Sequence, residues 1–162
     1  MVDTFEGAVK TVEGNTLTHL LPLWMTNWAE NLQDARYGDS LDKLYSRPAA
    51  TRCLVVGRGP SLMHHKHLEV LAEHPFNGTI VASDGALPLL LEYGVIPDFS
   101  VTVDGSPLIA QWYDNPHSKR YARKVKSVLP VTVHRKTVEA AKKTGTHIYW
   151  YIPELDVAPQ MG

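Results

Sequence analysis

Short runs of β-branched residues alternate with stretches of helical periodicity from Cys53 to the end of the chain. Runs of this length, followed by glycine or small polar residues, are typical of strands that end at a turn. Strands joined by helices are parallel, because each crossover returns the chain to the same end of the sheet. The pattern therefore predicts an α/β fold, an open, mainly parallel five-stranded sheet with helices on both faces. The predicted strands are residues 53–56, 79–82, 99–103, 128–133 and 147–152.

Residues 1–50 are predicted to form a helical appendage to this sheet, which takes up residues 51–162. The apolar residues Trp24 and Trp28 are one helical turn apart, and their neighbours continue the same stripe. We interpret this face as covering the sheet rather than lining a ligand site, with a partner-binding or membrane-surface helix as the alternative. No helical pattern follows the last strand, so we expect the chain to be the N-terminal part of a longer domain.

The charge balance and the cysteine count exclude several classes of protein. Sixteen basic and seventeen acidic side chains give a net charge of -1, which disfavours a nucleic-acid binder. Cys53 is the only cysteine, so an intrachain disulfide and a Cys-rich zinc site are excluded. No apolar run approaches the ~20 residues that span a bilayer, and the N-terminus does not resemble a signal peptide. We expect a cytoplasmic protein without a transmembrane segment.

Small or ionisable residues follow every predicted strand. Ligands of open parallel sheets bind outside the carboxyl ends of the strands, so these residues are the candidates for a site. After the five strands, in order, stand Gly57 to Ser61; Ser83, Asp84 and Gly85; Asp104, Gly105 and Ser106; His134 and Arg135; and Glu154 and Asp156.

The loop from Gly57 to Ser61 has the composition of a phosphate-binding turn. Gly57 and Gly59 lack a Cβ and let a ligand approach the backbone closely. Pro60 suits the first turn of a helix, and Ser61 adds a hydroxyl near the exposed N–H groups of that helix end. Arg58 can pair with a phosphate through two hydrogen bonds. The alternative is a tight strand-to-helix turn without a ligand.

Two common nucleotide-binding loops can be compared with this one. The chain lacks G-x-x-x-x-G-K-[ST], which excludes a P-loop nucleotide hydrolase. Leu62 stands where G-x-G-x-x-G has its third glycine, which weakens a nicotinamide-dinucleotide interpretation. Asp84 still fits that interpretation, because an acid at the end of the second strand can bind a ribose.

Asp84 and Asp104 follow neighbouring strands and are candidate catalytic and metal-binding residues. Two carboxylates beside phosphates suit magnesium, which completes its coordination shell with water and phosphate oxygens. The alternative is that each acid caps the helix that follows it. His134 is a candidate acid, base or phosphate donor, with a structural histidine as the alternative.

Three segments together resemble one superfamily: V-G-R-G-P-S-L (Val56 to Leu62), A-S-D-G-A (Ala82 to Ala86) and G-V-I-P-D-F-S-V-T-V-D-G-S-P (Gly94 to Pro107). It joins the motility accessory factors, which are flagellin glycosyltransferases, with the archaeal 6-hydroxymethylpterin diphosphokinases. The resemblance covers roughly residues 50 to 155. The G-x-G-P-S-L loop is also similar to the nucleotide-binding loop of bacterial sialyltransferases that use CMP-sialic acid.

The resemblance implies a Rossmann-like transferase that binds a nucleotide at Gly57 to Ser61, with Ser83, Gly85, Gly105 and Ser106 beside it. In the glycosyltransferase branch the donor would be a CMP-activated acidic sugar, and the Asp-Gly-Ser-Pro sequence from Asp104 fits that branch. In the pterin branch the donor would be ATP with magnesium, and Asp84 and Asp104 match the acidic motifs. One acid of that branch's second motif is absent here. A non-catalytic nucleotide-binding module is the third alternative.

Overall fold

Six parallel strands form one open sheet in the computed structural model, which describes residues 5–45 and 52–154. Across the sheet the strands stand in the order β1-β6-β5-β4-β3-β2. The predicted α/β class is confirmed, with one strand more than the five expected within the described residues. The strands are β1 (Asp39–Ser40), β2 (Cys53–Val56), β3 (Thr79–Ser83), β4 (Phe99–Val101), β5 (Lys126–Pro130) and β6 (His147–Tyr151).

The additional strand comes from the N-terminal region. Asp39 and Ser40 pair with Tyr149 and Trp150 of β6, so this region contributes an edge to the same sheet. A two-residue strand is too short for the alternating pattern that identifies a strand in a sequence. The predicted fourth strand was also placed too far along the chain, because β5 ends at Pro130 and residues 131–133 form a turn.

Seven α-helices lie in the described part of the chain. Five of the helices that connect the strands from β2 to β6 bury apolar side chains against the sheet. Short 3₁₀ turns stand at Leu41–Leu44, Asp84–Ala86, Pro107–Ile109 and Ala122–Lys124. The helices are α1 (Phe5–Tyr37), α2 (Pro60–His64), α3 (His67–Glu73), α4 (Leu87–Glu92), α5 (Ala110–Tyr113), α6 (Pro116–Tyr121) and α7 (Arg135–Thr144).

The connecting helices that form the core, α2 to α5 and α7, pack on one face of the sheet, whereas the sequence predicted helices on both faces. From β2 to β6 the strands follow one another across the sheet in chain order. Crossovers between parallel strands are right-handed, so a series that moves in one direction places its helices on the same side. Both buried clusters lie there: Ala82 packs with Leu68 and Leu90, and Leu129 packs with Val138.

The opposite face of the sheet carries no α-helix between β2 and β6 among the described residues. Val55, Val81 and Phe99 are paired across three strands and therefore point to the same side. Val55 is 74% exposed. The 3₁₀ turn Leu41–Leu44 lies beside this face and with it lines a groove of about 730 Å³.

Helix α1 lies along the carboxyl edge of the sheet and against α7. Trp28 packs against the buried cluster that contains Trp150, as expected for a helix that covers the core. Asp34 of α1 forms ion pairs with Arg135 and Lys142 of α7. None of the helices in residues 5–45 and 52–154 combines the length and apolar character that a membrane span requires.

Candidate functional site

The loop Gly57–Ser61 leaves the end of β2 and enters α2 with an open space above it. Gly59 precedes the helix in an extended conformation, with φ −101°. A Cβ built on Gly57 would meet no atom within 4 Å, and one on Gly59 would meet only Ser61 Oγ, at 3.6 Å. Neither glycine has a positive φ. Among the described residues, the glycines with a positive φ are Gly94 and Gly145. Neither packing nor backbone conformation therefore requires glycine at these two positions.

Arg58 is held between two neighbouring segments of the edge. Its guanidinium carbon lies 4.1 Å from the centre of the Trp112 ring, a cation–π contact. A Cβ on Gly85 would come within 2.6 Å of Arg58 Cδ, so the absence of a side chain at Gly85 makes room for this arginine. Trp112 is a site neighbour that the sequence did not indicate, because nothing in α5 marks it as different from a core aromatic.

Asp84 begins the 3₁₀ turn after β3 and is more than half-buried. Its Oδ1 accepts a hydrogen bond from the Gly85 N–H at 2.6 Å. Burial raises the pKa of Asp84, the Asp104 carboxylate raises it further, and the Arg58 guanidinium opposes both. The structure thus brings Asp84, Asp104 and Arg58 within electrostatic reach of one another.

Asp104 and Ser106 shape the loop after β4. Asp104 is exposed, and its Oδ1 accepts a hydrogen bond from the Ser106 N–H at 2.8 Å. Ser106 Oγ accepts from the Leu108 N–H at 3.2 Å and so caps the 3₁₀ turn Pro107–Ile109. The capping role considered for the acid is therefore taken by the serine two residues later.

A cluster of buried hydroxyls lies near Asp84. Tyr113 is fully buried, and its hydroxyl lies 3.2 Å from Thr102 Oγ1 and 3.5 Å from Ser100 Oγ. Burial raises the pKa of Tyr113. Either hydroxyl can be the donor in the hydrogen bond between Tyr113 and Thr102. No sequence feature indicated this cluster, since tyrosines on core helices usually serve packing alone.

His134 and Ser83 are two further predicted site residues, and they differ in their hydrogen bonding. His134 stands at the start of α7, and its Nδ1 accepts a hydrogen bond from the Lys136 N–H at 3.1 Å. That contact is a helix cap, the structural alternative for this histidine. Ser83 lies at the end of β3, and its buried hydroxyl has no hydrogen-bond partner within the described residues. An unpaired buried hydroxyl beside Asp84 is an acceptor or donor available to a ligand or an ordered water.

Helix α1 reaches this edge, which differs from the expectation that its tryptophans lie away from the site. A Cβ on Gly105 would come within 2.8 Å of Trp24 Cδ1 and 2.9 Å of the Thr132 carbonyl oxygen. Asn27 donates to the carbonyl oxygens of Gly105 and Thr132. The spacing of Asn27 and Asn31, four residues apart in a helical stretch, was the one sequence signal that these amides share a face.

The described residues contain no group of three or more His, Cys, Asp or Glu side chains placed to hold a metal ion. Asp84 and Asp104 are instead two carboxylates at one edge, one desolvated and one exposed. This donor set fits magnesium only where the ligand's own phosphate oxygens and water complete the shell.

The fold and this edge define an open α/β domain of the class that binds its ligands beyond the carboxyl ends of parallel strands. Residues 24–155 match the 6-hydroxymethylpterin diphosphokinase MptE-like family, and the chain belongs to that family. The resemblance to the superfamily is thereby confirmed; the match does not distinguish the motility accessory branch within it.

A relative from Treponema pallidum (strain Nichols), described as an uncharacterized protein, is 35% identical over 86 residues. The aligned stretch spans 53% of this chain and 39% of that relative. The match therefore covers well under two thirds of the relative's length.

Proposed function

We propose that the carboxyl edge of the sheet binds the phosphates of a nucleotide and that a group-transfer reaction takes place there. The observation that carries the proposal is the pair Gly57 and Gly59. Their conformations are open to other residues and their Cβ positions are empty, so the fold does not explain two glycines in one turn. Close approach of a ligand to the backbone explains them.

The neighbouring side chains supply the complementary groups. Arg58, held on Trp112, provides the positive charge for a phosphate, and Ser61 provides a hydroxyl at the same loop. Asp84 and Asp104 are the residues that would hold magnesium together with the phosphates. A metal held there would supply positive charge that offsets the negative charge of the phosphates. Its binding would also offset the cost of the desolvated Asp84 carboxylate.

Two donors fit this arrangement, and each is supported by a different observation. Membership of a family named for a diphosphokinase supports ATP with magnesium. The single acid in the Asp-Gly-Ser-Pro sequence after β4 supports a CMP-activated acidic sugar, a donor that resembles those of the glycosyltransferase branch. Magnesium dependence separates the two, because the diphosphate donor requires the metal to screen its charge.

The test is calorimetry of the wild-type protein with ATP, ADP and CMP, each with and without magnesium. We expect at least one nucleotide to bind and Gly59→Val to abolish binding, because the new side chain fills the space above the loop. Ala72→Val on the exposed surface of α3 is the control for added bulk and should leave the affinity unchanged.

Failure of all three nucleotides to bind would overturn the proposal. Equal affinity of wild type and Gly59→Val would place the ligand away from this loop. Binding that strengthens with magnesium, and loses that gain in Asp84→Asn or Asp104→Asn, would assign the metal to the two acids and favour ATP as donor.

A further inference from the structure

Asn27 joins two loops of the carboxyl edge to α1. The residue is buried, with 1% of its surface exposed. Its side-chain Nδ2 donates to the Gly105 carbonyl oxygen at 3.1 Å and to the Thr132 carbonyl oxygen at 2.8 Å. Gly105 follows β4 and Thr132 follows β5, so one amide group bridges the ends of adjacent strands.

Asn31, one helical turn further on, makes a similar pair of bonds without reaching the candidate site. It is also fully buried, and its Nδ2 donates to the carbonyl oxygens of Val131 and Val133 at 3.1 and 2.6 Å. Both acceptors belong to the turn after β5. The two asparagines therefore match in burial and in the two hydrogen bonds that each Nδ2 donates, and they differ in whether they contact the loop after β4. The Oδ1 of Asn31 also differs, because it is buried without a partner among the described residues.

The Gly105 contact acts on Asp104 through a single peptide group. The carbonyl of Gly105 and the N–H of Ser106 belong to the same planar unit. Asn27 binds that unit at its oxygen, and Asp104 Oδ1 accepts from its N–H at 2.8 Å. A rotation of this peptide would break both hydrogen bonds together. The orientation of the Asp104 carboxylate thus depends on a residue 77 positions earlier in the chain.

Trp24 also restricts rotation of the Gly105–Ser106 peptide group. Its indole lies so close to Gly105 that a Cβ there would come within 2.8 Å of Cδ1. Trp24 and Asn27 are three residues apart and therefore share a face of α1. The helix thus contacts the loop by a ring that blocks it and an amide that binds it.

We propose that Asn27 is a positioning residue of the nucleotide site, which orients the Asp104 carboxylate through the Gly105–Ser106 peptide group. The inference rests on the proposed function for its consequence in binding, but its structural part stands on the loop alone. Helix α1 is then a component of the site as well as a cover for the core.

The experiment compares Asn27→Ala with Asn31→Ala in the full chain. Amide hydrogen exchange at Ser106 reports the peptide group directly, and calorimetry with the nucleotide that binds best to the wild type reports the site. We expect both variants to lose similar global stability, because each loses two buried hydrogen bonds. In Asn27→Ala alone, Ser106 should exchange about tenfold faster than global unfolding accounts for, and the nucleotide should bind about tenfold more weakly.

Asn27→Ser keeps one hydroxyl donor, which can bond to one carbonyl at most, and should recover at most part of both effects; it replaces Asn27→Ala if that variant does not fold. Equal Ser106 exchange in the Asn27 and Asn31 variants would overturn the inference. Faster exchange with unchanged nucleotide affinity would overturn its functional part. Absence of nucleotide binding in the wild type would overturn the proposed function, and the exchange result would still decide whether Asn27 holds the loop.

Discussion

The first and third loops of the carboxyl edge contain glycine for different reasons. Gly59 after β2 has open space where a Cβ would stand, whereas Gly105 after β4 is pressed between Trp24 and the Thr132 carbonyl. Packing within the protein therefore accounts for Gly105 and leaves Gly59 unexplained. The comparison shows that a glycine indicates a ligand most strongly where the folded chain itself has no need of it.

A Gly→Val substitution should destabilise the protein much more in the third loop than in the first, and this difference in stability is the largest effect we predict. Gly105→Val places its Cβ against a backbone oxygen and a packed indole, and should lower the free energy of unfolding by about 2 kcal/mol. Gly59→Val meets no such obstacle and should change stability by less than about 0.5 kcal/mol. Urea denaturation of both variants measures the difference. Similar losses of stability would mean that the first loop is as tightly packed as the third.

A smaller effect is expected from the cluster of buried hydroxyls near Asp84. Tyr113→Phe removes the hydroxyl beneath Thr102 and leaves the ring in place, so it should cost about 1 kcal/mol of unfolding free energy. Tyr45→Phe is the matched control, because Tyr45 is 87% exposed. Thermal denaturation of the two variants makes the comparison. A Tyr113→Phe protein as stable as the control would show that the Tyr113 hydroxyl does not contribute to the free energy of unfolding.

The smallest effect concerns the ion pairs that hold α1, and with it the third loop, against α7. Hydrogen bonding from Lys142 is the main reason that the pKa of Asp34 is lowered, with Arg135 adding to it and partial burial opposing it. A carboxylate whose pKa is lowered in the folded state stabilises the fold above its unfolded pKa, and this contribution is lost as the pH falls through the folded value.

Asp34→Asn should therefore destabilise the protein by about 0.5 kcal/mol at pH 7, a magnitude typical of partly exposed ion pairs. At a pH below the lowered pKa of Asp34 the two proteins should converge, because the wild-type carboxyl is then protonated as well. Urea titrations at both pH values test the expected sign. A difference that persists unchanged at low pH would assign the effect of Asp34 to packing rather than charge.

The polar residues after each strand were visible in the sequence because they depend only on where a strand ends. Asp84 and Asp104 were expected near one another on that basis, and the structure places them within electrostatic reach. The contact of Asn27 with Gly105 could not be predicted, since it joins residues 78 positions apart and neither residue type indicates such a contact. The stack of Arg58 on Trp112 was hidden for the same reason.

The arrangement of the helices was missed for a different physical reason. Periodicity identifies strands such as β3 and helices such as α4, but the order of strands across a sheet depends on the direction of each crossover. That direction is decided by packing between elements far apart in the chain. The partly exposed side chains of Thr79 and Val81 in β3 reflect this arrangement, whereas the composition of the strand alone resembles that of a strand covered on both sides.

The consecutive order of β2 to β6 also has a consequence for how the chain folds. Each of these strands pairs with its neighbour along the chain, so the sheet can grow by one short crossover at a time. Asp39 of β1, by contrast, must find Tyr149 of β6, more than a hundred residues later. Closing so long a loop is slow and entropically unfavourable before the sheet exists. Helix α1 precedes the other strands in the chain but, we expect, docks last, so that the Asp104 loop acquires its final shape only in the closing step of folding.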